Sequence, residues 1–433
     1  MNRFLGKRNG FGIYECLCIV VLYMPWHYYI CECLLSNTKI VNVLRDIVIV
    51  IMFVVTLYKT KFRIGKHDLF IIANCFVMTA FAVFSIFENN FPGTVNILRT
   101  YFVPQLTFII ASRLKISEEQ YRNINKIVVI ELALIAIYGV FQAFVLGDKF
   151  LIKIGYPSDG FFLSGYSYYI SGFFGNQRSV GTFISPNVCG TILAIAICVY
   201  LYSDVVKRKK LDFFFLLIGL AATFSRSAIV GLLLSIIAIT YISGKRIRIT
   251  RKMITLGIGS VVVCLVAVVY IDSRYFDGLF SNMVIRSLTS ALNKTDPSAK
   301  AHMEDLFEPI SIILGHPFGL GFGNNGPMAL DLSNNANIVE SSFYLMIYEL
   351  GIVFGMAFFA PYVCTVIDTI RNKSYKNYLP AAISIVTCFT YVLLPNVQTY
   401  EILFYSFMYM GFYYNPNVKN MFNSRVRCSH EKS

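Results

Sequence analysis

Residues 207–252 read KRKKLDFFFLLIGLAATFSRSAIVGLLLSIIAITYISGKRIRITRK, with a basic cluster at each end of a long apolar stretch. Basic clusters stay on the cytoplasmic side of a membrane, so a single long helix would leave one cluster on the wrong side. A hairpin of two short spans, 211–224 and 227–243, keeps both clusters on the same side. Each span then reaches roughly 21 to 25 Å. The sequence therefore predicts a turn at Ser225 and Arg226 that is recessed below the outer membrane surface.

The same alternation of apolar runs and basic loops extends over the whole chain. Of its 433 residues, 56% are hydrophobic and 14% are charged, and the mean hydropathy is +0.61. Soluble domains have about 25% charged residues, so a water-soluble fold is excluded. We predict an all-α polytopic membrane protein, a single integral membrane domain over 1–433 with about twelve transmembrane helices. The predicted helices lie near 11–33, 43–58, 68–87, 97–111, 124–146, 187–203, 211–224, 227–243, 253–271, 339–369, 379–395 and 398–414.

The net charge of +14 is distributed as membrane topology requires. When the N-terminus and every second loop are assigned to the cytoplasm, 27 of the 38 Lys and Arg residues lie on that side. This bias predicts that both termini are cytoplasmic. Because the charges lie in short clusters between apolar runs, they report topology and no nucleic-acid partner is expected.

Eleven cysteines are present, most of them inside apolar runs, where they act as small core residues. Two Cys-x-Cys pairs, Cys16 with Cys18 and Cys31 with Cys33, are the only arrangement that suggests zinc. On one helix the pairs would lie roughly 22 Å apart, too far for one tetrahedral site. We therefore expect neither a metal nor a disulfide framework.

Two outward segments, 147–186 and 272–338, are much longer than the other outer connections. Loops of such length in a compact protein are usually functional. The first contains GYPSDGFFLSGYSYYISGFFGNQRS over 155–179. Its aromatic residues fit either an interfacial belt or a surface on which sugars stack, and the sequence leaves both interpretations open.

Arginines outside the cytoplasmic clusters are the informative charges, because charge at membrane depth is costly and usually functional. Arg178 precedes the helix that starts at SPN, and Arg226 lies in the turn FSRSA. Together they would form an outer recess suited to a pyrophosphate group, although capping of helix carbonyls or snorkelling to lipid would also explain each one. Arg99 is better explained as an interfacial anchor. Arg286, in DGLFSNMVIRSL, fits the polar face of an amphipathic segment.

Glu340 is the acidic counterpart of these arginines. It begins the stretch ESSFYLMIYELGIVFG, at the outer end of the predicted helix 339–369. A carboxylate there could act in chemistry or could simply interact with the helix dipole. The preceding GHPFGLGFGNN, from 315 to 325, lacks the spacing of a dinucleotide motif and indicates a turn that returns the chain to the membrane. His316 within it is interpreted as structural.

Three stretches together resemble the O-antigen ligase and polymerase superfamily of bacterial envelope glycosyltransferases. They are RSVGTFISPNVCGTILA from Arg178, TFSRSAIVGLLL around Arg226, and GLGFGNN followed by the helix from Glu340. Within that helix the family pattern Glu-x-Gly-x-x-Gly is matched by Glu349, Gly351 and Gly355. Each motif is weak alone, and their order and placement over about 178–357 carry the resemblance.

The resemblance implies a metal-independent glycosyltransferase of the GT-C type in the bacterial inner membrane, without a cofactor. Its donor and acceptor would be undecaprenyl-pyrophosphate-linked oligosaccharides at the periplasmic face, and the product O-antigen or capsular polysaccharide. Arg178 and Arg226 would bind the donor pyrophosphate, and Glu340 would orient or deprotonate the acceptor hydroxyl. The resemblance adds three further substrate-binding residues, which are Arg286, Asn187 and Tyr344.

Ligases of this superfamily tend to carry His-Asn where this chain has Glu340 and Ser341. That difference favours a repeat-unit polymerase, which would work beside membrane lipid and a possible chain-length regulator. The alternatives are an O-antigen ligase that transfers the glycan to lipid A-core, and a polysaccharide flippase. A flippase is disfavoured because transporters usually show paired repeats and a midplane site, and this chain shows neither.

Overall fold

The computed structural model describes residues 12–35, 39–88, 91–156, 178–203, 210–244, 312–323, 325–326, 341–372, 375–394 and 396–422, with residues 310 and 339. Within these ranges the regular structure is helical, which confirms the all-α prediction. The helices are α1 (Ile13–Tyr23), α2 (Lys39–Lys59), α3 (Lys66–Glu88), α4 (Phe91–Arg113), α5 (Glu118–Phe141), α6 (Gly147–Lys153), α7 (Pro186–Tyr202), α8 (Lys210–Ala222), α9 (Arg226–Ile242), α10 (Ser342–Phe358), α11 (Ala360–Arg371), α12 (Leu379–Leu393) and α13 (Tyr400–Tyr414).

Most predicted helices agree with these bounds within about six residues, and the predicted helix 11–33 corresponds to α1 followed by a 3-10 turn (Met24–Trp26) and a π-helix (Tyr29–Leu34). Two further predictions differ more. The single helix predicted over 339–369 was wrong, because the structure has α10 and α11 there and α10 itself is broken at Gly351. The predicted helix 253–271 lies outside the described residues, as does most of the second large loop. In the first large loop the structure adds α6, which the sequence pattern did not reveal.

Among the described residues, three helical stretches are long and apolar enough to cross a membrane, namely Lys66–Phe87, Glu118–Leu146 and Ser342–Arg371. Shorter apolar helices accompany them, among them Pro186–Tyr202 and Arg226–Ile242. Large apolar side chains also cover the outside of the bundle, where Phe76, Phe87 and Val353 are 73% to 83% exposed. Such a surface would be unfavourable in water, so these features together are consistent with a polytopic membrane protein.

Helix α13 lies at the centre of the bundle, and almost all of its side chains are buried. It runs beside α4 in the same direction, because Thr107 contacts the carbonyl of Phe404 and Asn415 donates to the carbonyl of Leu114. At Gly411 the two backbones approach closely, since an added Cβ would lie 2.4 Å from the Phe108 carbonyl oxygen. The most buried helix is thus the last predicted span, and α4 is fixed to it.

Helices α2, α4, α7, α9 and α13 all begin at one end of the bundle. Short connections make α2, α3, α4 and α5 successively antiparallel. The end of α5 then meets the start of α7, because Gln142 binds the backbone of Gly181. The turn that opens α9 packs on the first turns of α7, with Gly190 against Ser225. We call this end of the bundle the arginine end, because it carries Arg45, Arg99, Arg178 and Arg226.

The hairpin predicted from residues 207–252 is confirmed. Helix α8 ends at Ala222, α9 starts at Arg226, and the chain reverses over Thr223, Phe224 and Ser225. Phe224 takes a positive φ of 50°, which makes the reversal tight. Arg226 therefore stands at the first position of α9, at the tip of the hairpin.

Helix α10 breaks at Gly351, where φ is 78° and ψ is 169°. The glycine-rich segment 317–323 fills the break with backbone hydrogen bonds: Leu320 donates to Tyr348, and Ile352 donates to Pro317. Irregular backbone in a membrane protein is tolerated where other protein groups satisfy it. The segment predicted as a turn before Glu340 is therefore a partner of the broken helix.

Replacing Gly351 with alanine is expected to unfold or strongly destabilise the protein. A Cβ at this position would lie 2.6 Å from both the Phe318 carbonyl carbon and the Pro317 oxygen, and the backbone has a positive φ. Backbone strain of this kind costs about 1 to 3 kcal/mol, and overpacking adds a similar amount. Monodispersity after heating in detergent measures the loss. Gly315→Ala is the matched control, because nothing lies within 4 Å of its added Cβ, and equal stability of both variants would contradict the account.

Candidate active site

The candidate site is built where the chain enters α7. Ser185 caps this helix by accepting a hydrogen bond from the Val188 N–H, and Pro186 occupies its first position, where its missing N–H has no consequence. Asn187 follows in the first turn and is half-buried. The sequence SPN thus fixes the direction in which α7 leaves the segment 178–185.

The segment 178–185 is held rigidly against its surroundings. The Gln142 side chain accepts from the N–H groups of Val180 and Gly181, at 3.3 and 3.0 Å. Ser179 donates its N–H to the carbonyl of Ala222 at 2.9 Å, which ties the segment to the end of α8. The backbone that directly follows Arg178 is therefore held by both Gln142 and Ala222.

Arg178 reaches from this segment to the hairpin turn. Its Nε donates to the carbonyl of Thr223 at 2.7 Å, and its Nη2 donates to the Asn187 Oδ1 at 2.9 Å. These two bonds use two of the five guanidinium N–H groups. No carboxylate of the described residues forms an ion pair with Arg178. The remaining donors suit an oxyanion that comes from outside the protein.

Arg226 brings a second positive charge to the same place. It is exposed at the start of α9, three residues after Thr223. Burial, and then the nearby charge of Arg226, lower the pKa of the Arg178 guanidinium to about 10. Arg178 therefore remains cationic near neutral pH, and the repulsion between the two like charges favours an anion bound beside them. Arg178 binds the Thr223 carbonyl in the turn that precedes Arg226, so the structure brings the two predicted residues to the same turn.

The close packing of α7 on the turn explains why a glycine lies at position 190. A Cβ added there would lie 2.7 Å from the Ser225 Cβ and 3.0 Å from the Thr223 Oγ1. Any larger residue would push the turn, and Arg226 with it, away from Arg178. The local sequence therefore keeps Arg178 and Arg226 at the same turn.

Glu340 and Arg286 lie outside the described residues, so the structure does not place them. The residues that flank Glu340 are described: Val339 and Ser341 are buried, and Ser341 caps α10 by accepting from the Tyr344 N–H. Tyr344 is half-buried, and no described contact connects it with the two arginines. Asn187 is the predicted substrate-binding residue that the structure does bring to Arg178.

The end of α12 lies near the first residues of both α10 and α9. Along α9 the contacts with α12 are antiparallel, from Ser235 opposite Ala382 to Gly231 opposite Phe389. Continued by one turn, this register places Arg226 near the end of α12. That same end holds α10, because the Ser342 N–H and hydroxyl both donate to the Leu394 carbonyl.

The sequence reasoning missed Gln142, the residue that holds the arginine segment. The sequence did carry a signal, because Gln142 is an amide inside the apolar run IAIYGVFQAFVL. The structure shows that this amide is fully buried. A buried amide needs hydrogen-bond partners, and a lone one in a predicted span indicates a specific contact. Which backbone it would bind could not be read from the sequence.

Comparison with known families covers part of this site. Residues 212–360 match the family model described as O-antigen ligase. The resemblance to the O-antigen ligase and polymerase superfamily is confirmed. The match includes the hairpin with Arg226, the break at Gly351 and the position of Glu340, and it begins after Arg178. No curated protein matches the chain.

The match covers less than half of the chain, and it indicates the class of protein to which the chain is similar. Members of that class are glycosyltransferase-like enzymes that act on lipid-linked glycans, and the apolar helices agree with a membrane location. The guanidinium groups of Arg178 and Arg226 have the chemistry that binds phosphate oxygens.

Proposed function

We propose that this protein polymerises undecaprenyl-pyrophosphate-linked repeat units into O-antigen or capsular polysaccharide at the periplasmic face of the bacterial inner membrane. The observation that carries the proposal is the pair of arginines at one turn, with free guanidinium donors on Arg178. A pyrophosphate is the leaving group of this reaction, and bidentate guanidinium donors match its oxygens. Both termini would be cytoplasmic, and reporter fusions after Lys210 and near Asn334 would read opposite sides of the membrane.

The reaction is a displacement at the anomeric carbon of the donor sugar. The acceptor hydroxyl oxygen forms the new glycosidic bond while the bond to the pyrophosphate oxygen breaks and its electron pair leaves with the lipid pyrophosphate. Arg178 and Arg226 would stabilise the negative charge that develops on this leaving group. The hydroxyl proton would pass to Glu340 or, with Glu340 only orienting the hydroxyl, to water.

The register of α12 supports this role for Glu340. Ser341 and Ser342 are hydrogen-bonded to the end of α12. The contacts between α9 and α12 place Arg226 near the same end of α12. Glu340 directly precedes Ser341 in the chain. We therefore propose that the Glu340 carboxylate acts on the acceptor hydroxyl, with Tyr344 one turn further along the chain.

An O-antigen ligase is the second candidate, and the description of the matching family favours it. Ligase and polymerase would share the donor and both arginines, and they differ in the acceptor. The Glu340-Ser341 pair, in place of the His-Asn that ligases tend to carry, favours polymerase.

Reconstitution with a purified lipid-linked repeat unit separates the two functions. A polymerase is expected to form a ladder of lipid-linked products from that single substrate. A ligase would leave it unchanged until lipid A-core is added, and would then form a lipid A-core conjugate. A parallel reaction with a chelator tests whether the reaction is metal-independent. Conjugate formation without any ladder would refute the polymerase proposal.

A further inference from the structure

The short helix α6 ends directly against the segment that carries Arg178. Gly155, with a φ of 98°, turns the chain after this helix. The Gly155 N–H donates to the Ile152 carbonyl at 3.1 Å, and the next N–H, that of Tyr156, donates to the Leu151 carbonyl at 3.0 Å. These two bonds form a Schellman motif, in which glycine ends a helix and the following side chain packs back on it. The local sequence therefore determines where the Tyr156 side chain lies.

The Tyr156 ring is held by a small apolar cluster. It packs with Leu151 and Val180, and all three side chains are at most 2% exposed. Val180 belongs to the segment after Arg178, so the cluster joins α6 to that segment. The Tyr28 ring also meets the Tyr156 ring edge-on, with 5.5 Å between the ring centres. Packing thus fixes the ring of Tyr156 independently of its hydroxyl group.

The Tyr156 hydroxyl contacts two carbonyls of the Arg178 segment. It donates toward the Phe183 carbonyl oxygen at 3.2 Å and toward the Gly181 carbonyl oxygen at 3.4 Å. The Gln142 Nε2 donates to the same Gly181 oxygen at 3.3 Å. A segment outside regular secondary structure is held by the hydrogen bonds that its backbone groups form with other parts of the protein. Tyr156 therefore anchors this backbone together with Gln142.

The two carbonyls lie in the part of the chain that determines the geometry of Arg178. The Arg178 Nη2 donates to the Asn187 Oδ1 at 2.9 Å, and the chain between these two residues contains both carbonyls that the Tyr156 hydroxyl contacts. Productive binding of a ligand requires that the binding groups are held within about 0.5 Å of their positions. A shift of this segment would therefore misplace the guanidinium donors without removing any of them.

We propose that Tyr156 is a positioning residue for Arg178: its hydroxyl holds the backbone at Gly181 and Phe183, so that the guanidinium donors of Arg178 are placed to bind the phosphate oxygens of a lipid-linked glycan. The inference rests on the proposed function, which supplies the pyrophosphate ligand. Tyr156 acts through the backbone and does not itself bind the ligand. Helix α6 thereby has a role in the site, because it carries this tyrosine to the arginine segment.

The test measures the binding of undecaprenyl pyrophosphate and of undecaprenol to the purified full-length protein in phosphate-free maltoside detergent. The dissociation constant of undecaprenol divided by that of undecaprenyl pyrophosphate gives the preference for pyrophosphate. Tyr156→Phe removes the hydroxyl and keeps the packed ring, and we expect it to lower this preference by about three- to tenfold, the effect of one hydrogen bond. In an Arg178→Ala background, where Arg226 still attracts the pyrophosphate, the same substitution should change the preference by less than about twofold.

Tyr375→Phe is the matched control for the loss of a tyrosine hydroxyl. Tyr375 is also buried, and its hydroxyl donates to the Tyr413 carbonyl at 3.3 Å, at the opposite end of the bundle. This variant should keep the full preference for pyrophosphate. Monodispersity after heating is measured for every variant, because a loss of stability alone would be the same in both backgrounds and would not produce the expected pattern.

Two results would overturn the inference. An unchanged preference in a folded Tyr156→Phe protein would show that the hydroxyl does not position Arg178. An equal loss in the wild-type and Arg178→Ala backgrounds would show that Tyr156 supports the fold and does not act through Arg178. Failure of the proposed function has a different signature: the wild-type protein itself would then bind undecaprenyl pyrophosphate no more tightly than undecaprenol.

Discussion

Replacing Arg178 with alanine is expected to lower the rate of polymer formation by about a hundred- to a thousandfold. The side chain is fixed by Thr223 and Asn187 and keeps further donors for a ligand. Such preorganised donors stabilise the leaving group without reorganisation in the transition state. The measurement is product formation from a purified lipid-linked repeat unit, with protein amount and monodispersity determined beside it.

Arg226→Ala provides the independent variant for this prediction. Arg178 also holds the hairpin turn through the Thr223 carbonyl, so its loss combines a structural and a chemical effect. Arg226 is exposed, so its truncation is expected to leave the fold intact and still reduce activity strongly. Lysine at either position should restore only part of the rate, because an ammonium group cannot reproduce the bidentate fork. Normal polymer from a folded Arg226→Ala protein would show that this residue does not bind the pyrophosphate.

The helices and the hairpin could be predicted because their signals are local. Apolar runs with basic residues near one end define α2, α3, α12 and α13 in the sequence itself. The hairpin at Ser225 was predicted from the distribution of basic residues, since a single helix would have placed a basic loop on the outer side of the membrane. The same distribution predicted that Arg178 and Arg226 lie at the same end of the bundle.

The break in α10 could not be predicted, because its cause is distant in sequence. Glycine inside an apolar run is compatible with a continuous membrane helix, and Gly351 alone gives no sign of φ 78°. The break depends on Leu320 and Gly321, which bind the carbonyls of Tyr348 and Glu349. Only the tertiary structure shows that the glycine-rich segment is the partner these groups need.

The ion pair between Arg99 and Asp46 could not be predicted for the same reason. From the position of Arg99 near a helix start, an interfacial anchor was the natural interpretation. The partner Asp46 lies on another helix, 53 positions earlier, inside the apolar run that follows Arg45. Pairings between charges on different helices depend on helix rotation and neighbour order, and the periodicity of one sequence does not determine either.

Glu340→Gln is expected to lower the rate of polymer formation by about two to four orders of magnitude if removal of the hydroxyl proton limits the rate. The substitution keeps the shape of the side chain and removes its charge. Positive charge near this position would favour the ionised carboxylate, which accepts a hydrogen bond from a sugar hydroxyl but is only a weak base. A smaller effect, with donor binding unchanged, would therefore indicate that Glu340 orients the acceptor and that water takes the proton.

The control and the decisive outcome for Glu340 follow from the fold. Glu119→Gln removes an exposed carboxylate at the start of α5, at the opposite end of the bundle, and should leave the rate unchanged. Polymer formation and donor binding are measured for both variants with the purified lipid-linked repeat unit. Because Ser341 and Ser342 anchor α10 independently of the Glu340 side chain, the variant should fold. Full activity of Glu340→Gln would remove this residue from the chemistry and leave it as a charge at the N-terminus of α10, where the helix dipole favours a carboxylate.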